Sequence, residues 1–155
     1  MCGIVGYSGK RDAQQLIFDS LKRLEYRGYD SAGIALLQHG GGAVLYKDQG
    51  SIAHLRDIMP QVQATNGVGH TRWATCGRPT KNNAHPFFDC RSKIVLAHNG
   101  IVENHMTLRM ELMKRGHVFT SDTDTEVVVH LMEERYKEDA VAAVGRYVRV
   151  LPARK

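Results

Sequence analysis

The sequence is short of the features that assign many chains at once. It holds three cysteines (Cys2, Cys76 and Cys90), irregularly spaced and without a C-x-x-C pair. That is too few for a disulfide framework and offers no zinc-site spacing. Eight histidines are scattered with no H-x-x-x-H pair, so no metal centre is expected. No apolar run approaches the roughly 20 residues that span a bilayer. The N-terminus also lacks the basic and apolar regions of a secretory signal, and a cytoplasmic protein without membrane attachment is expected. Repeats and low-complexity stretches are missing too, so the chain reads as one unit.

What is present is an ordinary soluble composition, 155 residues with 43% hydrophobic and 24% charged, enough for one domain with its own core. The formal net charge of +5 raises the question of nucleic acid. Residues 145–155, "GRYVRVLPARK", carry four of the basic residues (Arg146, Arg149, Arg154, Lys155) and no acid, and without them the net charge is +1. A nucleic-acid-binding module would show a salt-dependent affinity that survives Cys2→Ala. A near-neutral body argues against it.

Hydrophobic spacing gives alternating strands and helices. "GIVGY" (3–7) and "SAGIALL" (31–37) read as buried strands, with Ala13, Leu16, Ile17, Leu21 and Leu24 on one helical face between them. "HGGGAVL" (39–45) is a glycine-rich turn. "AVLYK" (43–47), "GVGHTRWA" (67–74) and "KIVLAH" (93–98) are further strands, and a short helix over 52–59 ends at Pro60. A helix follows in "ENHMTLRMELMKRG", with Leu108, Leu112 and Met113 on one face and Gly116 just past its end. Thr123 and Glu126 are spaced as a capping box for a helix reaching about Tyr136, and "DAVAAVGRYV" reads as another.

The chemistry begins at the second residue. Cysteine is small enough for the initiator methionine to be removed, which would put a thiol and a free α-amine on one residue. With an amine pKa of about 7.7–8.0 beside a thiol of about 8.5, Cys2 can hold nucleophile and base together. Its bland alternative is a small hydrophobe starting a strand. Arg72 could clamp a carboxylate with its planar fork, or form a surface ion pair; Trp73 could equally belong to the core. Asn99-Gly100 is a hairpin signal, yet it precedes a helix rather than a second strand. Its side-chain amide and backbone N–H could instead receive an oxyanion. Asp124 could cap a helix or bind an ammonium group.

"CGIVGY", "LKRLEYRGYDSAGIA", "GHTRWAT", "NAHP", "HNGIVENH" and "SDTDTE" occur in the order and approximate spacing of one family. Together they resemble the N-terminal-nucleophile (class II) glutamine amidotransferases, and among these the glutaminase domains of the glucosamine-6-phosphate synthases. The resemblance spans residues 2 to about 144. It implies an α+β fold, a four-layer α/β/β/α sandwich of antiparallel sheets. It also implies hydrolysis of glutamine through a Cys2 thioester, with Asn99 and Gly100 as the oxyanion hole. Arg72 and Asp124 would hold the substrate's carboxylate and ammonium, Trp73 and Thr75 would line the pocket, and Arg27 would order the terminus near Cys2. No cofactor is implied. In the complete enzymes of this group, two sugar-phosphate isomerase domains use the ammonia.

Two positions depart from the family pattern: Cys76 and Phe87 stand where histidine is common. The family domain also runs on beyond this length. Residues 1–144 are therefore expected to be the N-terminal part of a type-2 glutamine amidotransferase domain and 145–155 a divergent basic tail. A truncated chain that keeps the motifs without the activity is the alternative reading. Oligomeric state stays open.

Overall fold

The computed structural model describes residues 2–28, 30–38, 40–74 and 77–136. A four-stranded antiparallel sheet runs in the order β1-β4-β2-β3, from β1 (Gly3–Ser8), β2 (Ser31–Gln38), β3 (Ala43–Gln49) and β4 (Ala64–Arg72). The two strands read as consecutive, β1 and β2, are not neighbours. β4 lies between them and pairs antiparallel with both, at Gly3↔Thr71 and Ser31↔Arg72. Helix α1 (Ala13–Leu24) joins β1 to β2 across one face of this sheet.

Its buried stripe is Ala13, Gln14, Ile17, Phe18 and Leu21, whereas the expected Leu16 and Leu24 are half-buried. Gln14 is buried because its amide donates to the Pro60 carbonyl at 3.0 Å and accepts from the Val62 N–H at 2.6 Å. It thereby satisfies the segment between α2 (Ile52–Ile58) and β4. The helix lies directly on the β4 backbone. A Cβ at Gly69 would sit 2.5 Å from Ile17 Cγ2 and 2.7 Å from Leu21 Cδ1, so only glycine permits that approach.

The opposite face meets a second layer, the short pair β5 (Phe87–Phe88) and β6 (Val95–Leu96), which is backed by α3 (His105–Lys114) and α4 (Thr125–Arg135). Two cores result. One gathers α1, α2 and β2; the other gathers Phe87, Ile94, Val102, Leu108, Leu112 and the apolar residues of α4. The order is helix, sheet, sheet, helix. Phe87, the departure from histidine, is 1% exposed in the second core with Lys47 Nζ 4.3 Å above its ring. At Gly33 an added Cβ would overlap the His85 carbonyl oxygen, so β2 is in backbone contact with the loop that precedes β5.

Several local expectations change. "KIVLAH" forms only the two-residue β6, while Asn99-Gly100 lies in a loop before α3, as expected. Met113 is 56% exposed, because it sits about 100° around α3 from Leu112. The capping box does not form. Asp124 is the N-cap of α4, and the Glu126 carboxylate instead accepts from the backbone N–H and hydroxyl of both Thr120 and Ser121 at 2.7–2.8 Å. The helix expected in "DAVAAVGRYV" lies outside the described residues. Among the described residues, no helix is long and apolar enough to cross a membrane.

Candidate active site

Strand alternation builds the site. On β4, Gly67 and Gly69 face α1, which turns His70 and Arg72 to the other side of the sheet. The β1–β4 register sets Cys2 beside Arg72, at the edge where β1 and β2 begin and β4 ends. There the Trp73 N–H donates to Cys2 Sγ at 3.2 Å, and Sγ lies 3.5 Å from the Trp73 carbonyl oxygen. Asp30 anchors the same edge, its N–H donating to the Arg72 carbonyl at 3.0 Å and its carboxylate accepting from the Ala74 N–H at 2.9 Å.

The loop after β6 and the start of α4 close the other wall. Asn99 Nδ2 donates to the Cys2 carbonyl oxygen at 3.3 Å. Asp124 makes no side-chain cap; its carboxylate accepts from the Val102 N–H at 2.7 Å and faces a cleft of about 450 Å³. Cys2, Arg27, Arg72, Trp73, Asn99, Gly100 and Asp124 all line this cleft. Seven of the eight expected site residues are thus brought together, and Thr75 lies outside the described residues.

Each cationic or polar wall has a visible support. The guanidinium of Arg72, 4% exposed, donates to the carbonyls of Gly77 and Arg78 at 3.3 Å each. Asn83 joins that loop to the segment before α4, donating to the Arg78 carbonyl at 3.0 Å and accepting from the Asp122 N–H at 2.9 Å. Lys47 reaches across from β3 to the carbonyls of Asn82 and Ala84, at 3.1 and 2.8 Å. Burial pulls its pKa down to about 8.

His70, His85 and Asn83 were not singled out from sequence. His70 reads there as one polar position in a strand, and nothing local signals that its ring meets Asn99. In the structure His70 Nε2 lies 2.9 Å from Asn99 Oδ1, and its ring stacks on that of His85 with centroids 4.3 Å apart. Burial lowers the pKa of His70 from 6.5 to about 4 and holds His85 well below the usual histidine range, with the neighbouring Arg72 cation adding to both. Both rings are neutral at neutral pH.

A pH dependence follows with a definite sign. The unfolded chain takes up a proton at His70 near pH 6.5 and the folded chain only near 4. The stability from the neutral ring is therefore complete above 6.5 and lost as pH falls through about 4. The difference is on the order of 3 kcal/mol. Denaturant unfolding between pH 4 and 7 should show this slope, and His70→Gln should flatten it. An equal slope in the variant would remove His70 as its source.

Comparison with known proteins agrees with the fold. The glutamine amidotransferase domain model matches residues 57–151. The glutamine–fructose-6-phosphate aminotransferase (isomerizing) of Chlorobaculum tepidum is 47% identical over 154 residues, 96% of this chain and 25% of that protein. Its counterpart from Pyrococcus horikoshii is 54% identical over 139 residues, 88% of this chain and 23% of that protein. This chain thus spans about a quarter of the length of such relatives. Among solved structures, glutamine phosphoribosylpyrophosphate amidotransferase from B. subtilis, complexed with ADP and GMP, superposes with a TM-score of 0.81 at 27% identity. That match covers 97% of this chain and 33% of that one. The layered antiparallel architecture is that of the N-terminal-nucleophile amidotransferases, and since the family model covers more than half of its length, the chain belongs to the glutamine amidotransferase domain family.

Proposed function

We propose that this chain is a glutaminase domain that hydrolyses glutamine to glutamate and ammonia with Cys2 as nucleophile. The observation that carries the reading is the convergence of Cys2, Asn99, Gly100, Arg72 and Asp124 on one cleft. Their chemistry is complementary to glutamine. Arg72 is a cation for the α-carboxylate, Asp124 an anion for the α-ammonium, and Trp73 lines the pocket, with Thr75 the further residue that the family resemblance implies. Arg27, in the turn Glu25–Arg27, lines the cleft and supports the terminus.

After loss of Met1, the α-amine of Cys2 takes the thiol proton, and Sγ attacks the side-chain carbonyl carbon of glutamine. Negative charge collects on the carbonyl oxygen, facing the Asn99 amide and the Gly100 N–H. The amine returns the proton to the departing nitrogen, ammonia leaves, and a glutamyl thioester remains. Water, deprotonated by the same amine, cleaves the thioester to glutamate and restores the thiol. Close packing keeps position 100 small: a Cβ there would lie 2.8 Å from the His98 ring.

The ammonia's destination is a second step of the proposal. Relatives at 47–54% identity are named for transfer to fructose 6-phosphate, so in a complete enzyme the ammonia would form glucosamine 6-phosphate on sugar-phosphate isomerase domains. Residues 1–144 would be the amidotransferase part and 145–155 a basic tail, in a cytoplasmic enzyme that needs no organic cofactor and binds neither nucleic acid nor membrane.

The test is glutamate release by the purified chain, with intact mass read on the same sample and a glutamine-like electrophile added to trap the thiol. Glutamate release, loss of Met1 and a single adduct on Cys2 are expected. A folded, processed chain that neither releases glutamate nor takes the label would make this a chain that keeps the motifs without the activity.

A further inference from the structure

Away from the cleft, four side chains from three separate segments converge. Cys90 sits in the turn between β5 and β6, His117 follows the end of α3, and His130 and Glu133 lie one turn apart on α4. Their ligand atoms all fall within 4.8 Å of one another. Cys90 Sγ is 3.7 Å from His117 Nδ1 and 3.5 Å from His130 Nδ1. Glu133 Oε2 is 3.2 Å from His117 Nδ1 and 3.4 Å from His130 Nδ1. Tetrahedral zinc, with bonds of about 2.0–2.3 Å, sets its ligand atoms about 3.3–3.7 Å apart. The four spacings match that figure to within about 0.1 Å.

The far nitrogens of the two rings show how each ring is turned. His117 Nε2 is 3.5 Å from Glu134 Oε1, and His130 Nε2 is 3.9 Å from Glu126 Oε1. Each ring therefore turns Nε2 toward a carboxylate and Nδ1 toward the shared centre. For His117 a proton on Nε2 suits the Glu134 carboxylate and leaves a lone pair on Nδ1, whereas His130 Nε2 has no hydrogen-bond partner and its Nδ1 faces Cys90 and Glu133. With both ring protons on Nε2, two lone pairs meet the Cys90 sulfur and a Glu133 carboxylate oxygen at one point, and release of the thiol proton would leave four donor atoms for a cation. Protonating both rings instead would put two cations at a centroid separation of 5.1 Å, one of them on a side chain that is 1% exposed. Carboxylates behind ligating histidines are the usual support of zinc sites, since they fix the tautomer.

We propose that Cys90 Sγ, His117 Nδ1, His130 Nδ1 and a carboxylate oxygen of Glu133 form a tetrahedral structural zinc site. The donor set of one thiolate, two imidazoles and one carboxylate suits zinc and not magnesium or calcium. Thiolate and carboxylate offset the charge of the dication, so the bound site is neutral. Four protein ligands leave no open position for water or substrate, so the ion holds structure rather than performing catalysis. It ties the β5–β6 turn and the α3–α4 connection to α4, the helix whose N-cap, Asp124, faces the cleft. Cys90 is exposed, which gives the ion a path from solvent. Sequence spacing hides the site, because the ligands span 43 residues and only His130 and Glu133 are local neighbours.

The test uses the whole chain. After purification without chelators, elemental analysis should find one zinc per chain. Cobalt(II) added to the metal-free protein should give a tetrahedral visible spectrum with a thiolate charge-transfer band. Cys2→Ala should keep that band. Cys90→Ser should lose it, and zinc affinity should fall by at least about 10- to 100-fold. Chelator should lower the melting temperature of the native chain and leave that of Cys90→Ser unchanged. Metal-free protein that unfolds and refolds with zinc also supports the site. His117→Gln, at a partly exposed ligand, is a second variant should Cys90→Ser fail to fold, and it should weaken zinc binding in the same way. A folded native chain that stays below about a tenth of an equivalent after zinc loading overturns the proposal. So does a cobalt charge-transfer band that persists in Cys90→Ser, which would mark an adventitious ion only.

Discussion

Cys2→Ala is expected to abolish glutamine hydrolysis, a loss on the order of 10⁶ in kcat if the residue acts as a unit with its own amine. No other side chain can substitute for it. In the proposed mechanism the thiol forms the thioester, and once Met1 is removed the same residue supplies the amine that moves the proton. Glutamine binding should survive, because Arg72 and Asp124 are held by partners other than Cys2. The chain's one tryptophan, Trp73, lies in the cleft at 48% exposure, so its fluorescence should report glutamine binding in the native chain and the variant alike. A chain in which Met1 is retained separates the two functions of the residue: it keeps the thiol, lacks the α-amine, and should be nearly as inactive. Hydrolysis by Cys2→Ala within tenfold of the native rate would remove Cys2 as the nucleophile.

Most of the cleft was legible because its residues lie in short motifs that a strand end or loop presents directly. Cys2 precedes β1, Arg72 ends β4, Asn99 and Gly100 follow β6, and Asp124 stands at the N-cap position of α4. Sequence order alone could not show that β4 is inserted between β1 and β2, since those pairings join residues 26 to 68 positions apart. Yet that pairing is what brings Cys2 to Arg72. His70 escaped notice for the same reason: its role depends on a loop 29 residues downstream. The Thr123–Glu126 box failed because Glu126 is buried at 2% and needs four donors, which the Thr120–Ser121 segment supplies and a single cap N–H cannot. Tertiary satisfaction of a buried charge outweighs a local cap. The side-chain cluster around Cys90 was overlooked on the same logic, because metal spacing in sequence is visible only when ligands share a knuckle or a helix turn.

Asn99→Ala should lower kcat by on the order of 10²–10³ with little change in KM, since an oxyanion donor acts on charge that appears only after attack. The orientation of that donor is the more delicate matter. An amide flipped by 180° would aim its oxygen at the developing oxyanion and repel it. In the structure Asn99 Oδ1 is taken by His70 Nε2 at 2.9 Å, and the neutral ring donates its Nε2 proton there, which leaves Nδ2 for the Cys2 side of the cleft. In the proposed mechanism His70 is thus a positioning residue. His70→Phe, which keeps an aromatic ring under His85 and removes the donor, should lower kcat by about tenfold and leave KM nearly unchanged. His70→Gln, with an amide donor, should recover part of that loss. The decisive measurement is the double variant. If His70 acts through Asn99, adding His70→Phe to Asn99→Ala costs nothing further in kcat, because the group it positions is already gone. Multiplying losses in the double variant would mean that the ring contributes independently, through packing or through the stack with His85, and that the amide holds its orientation without it.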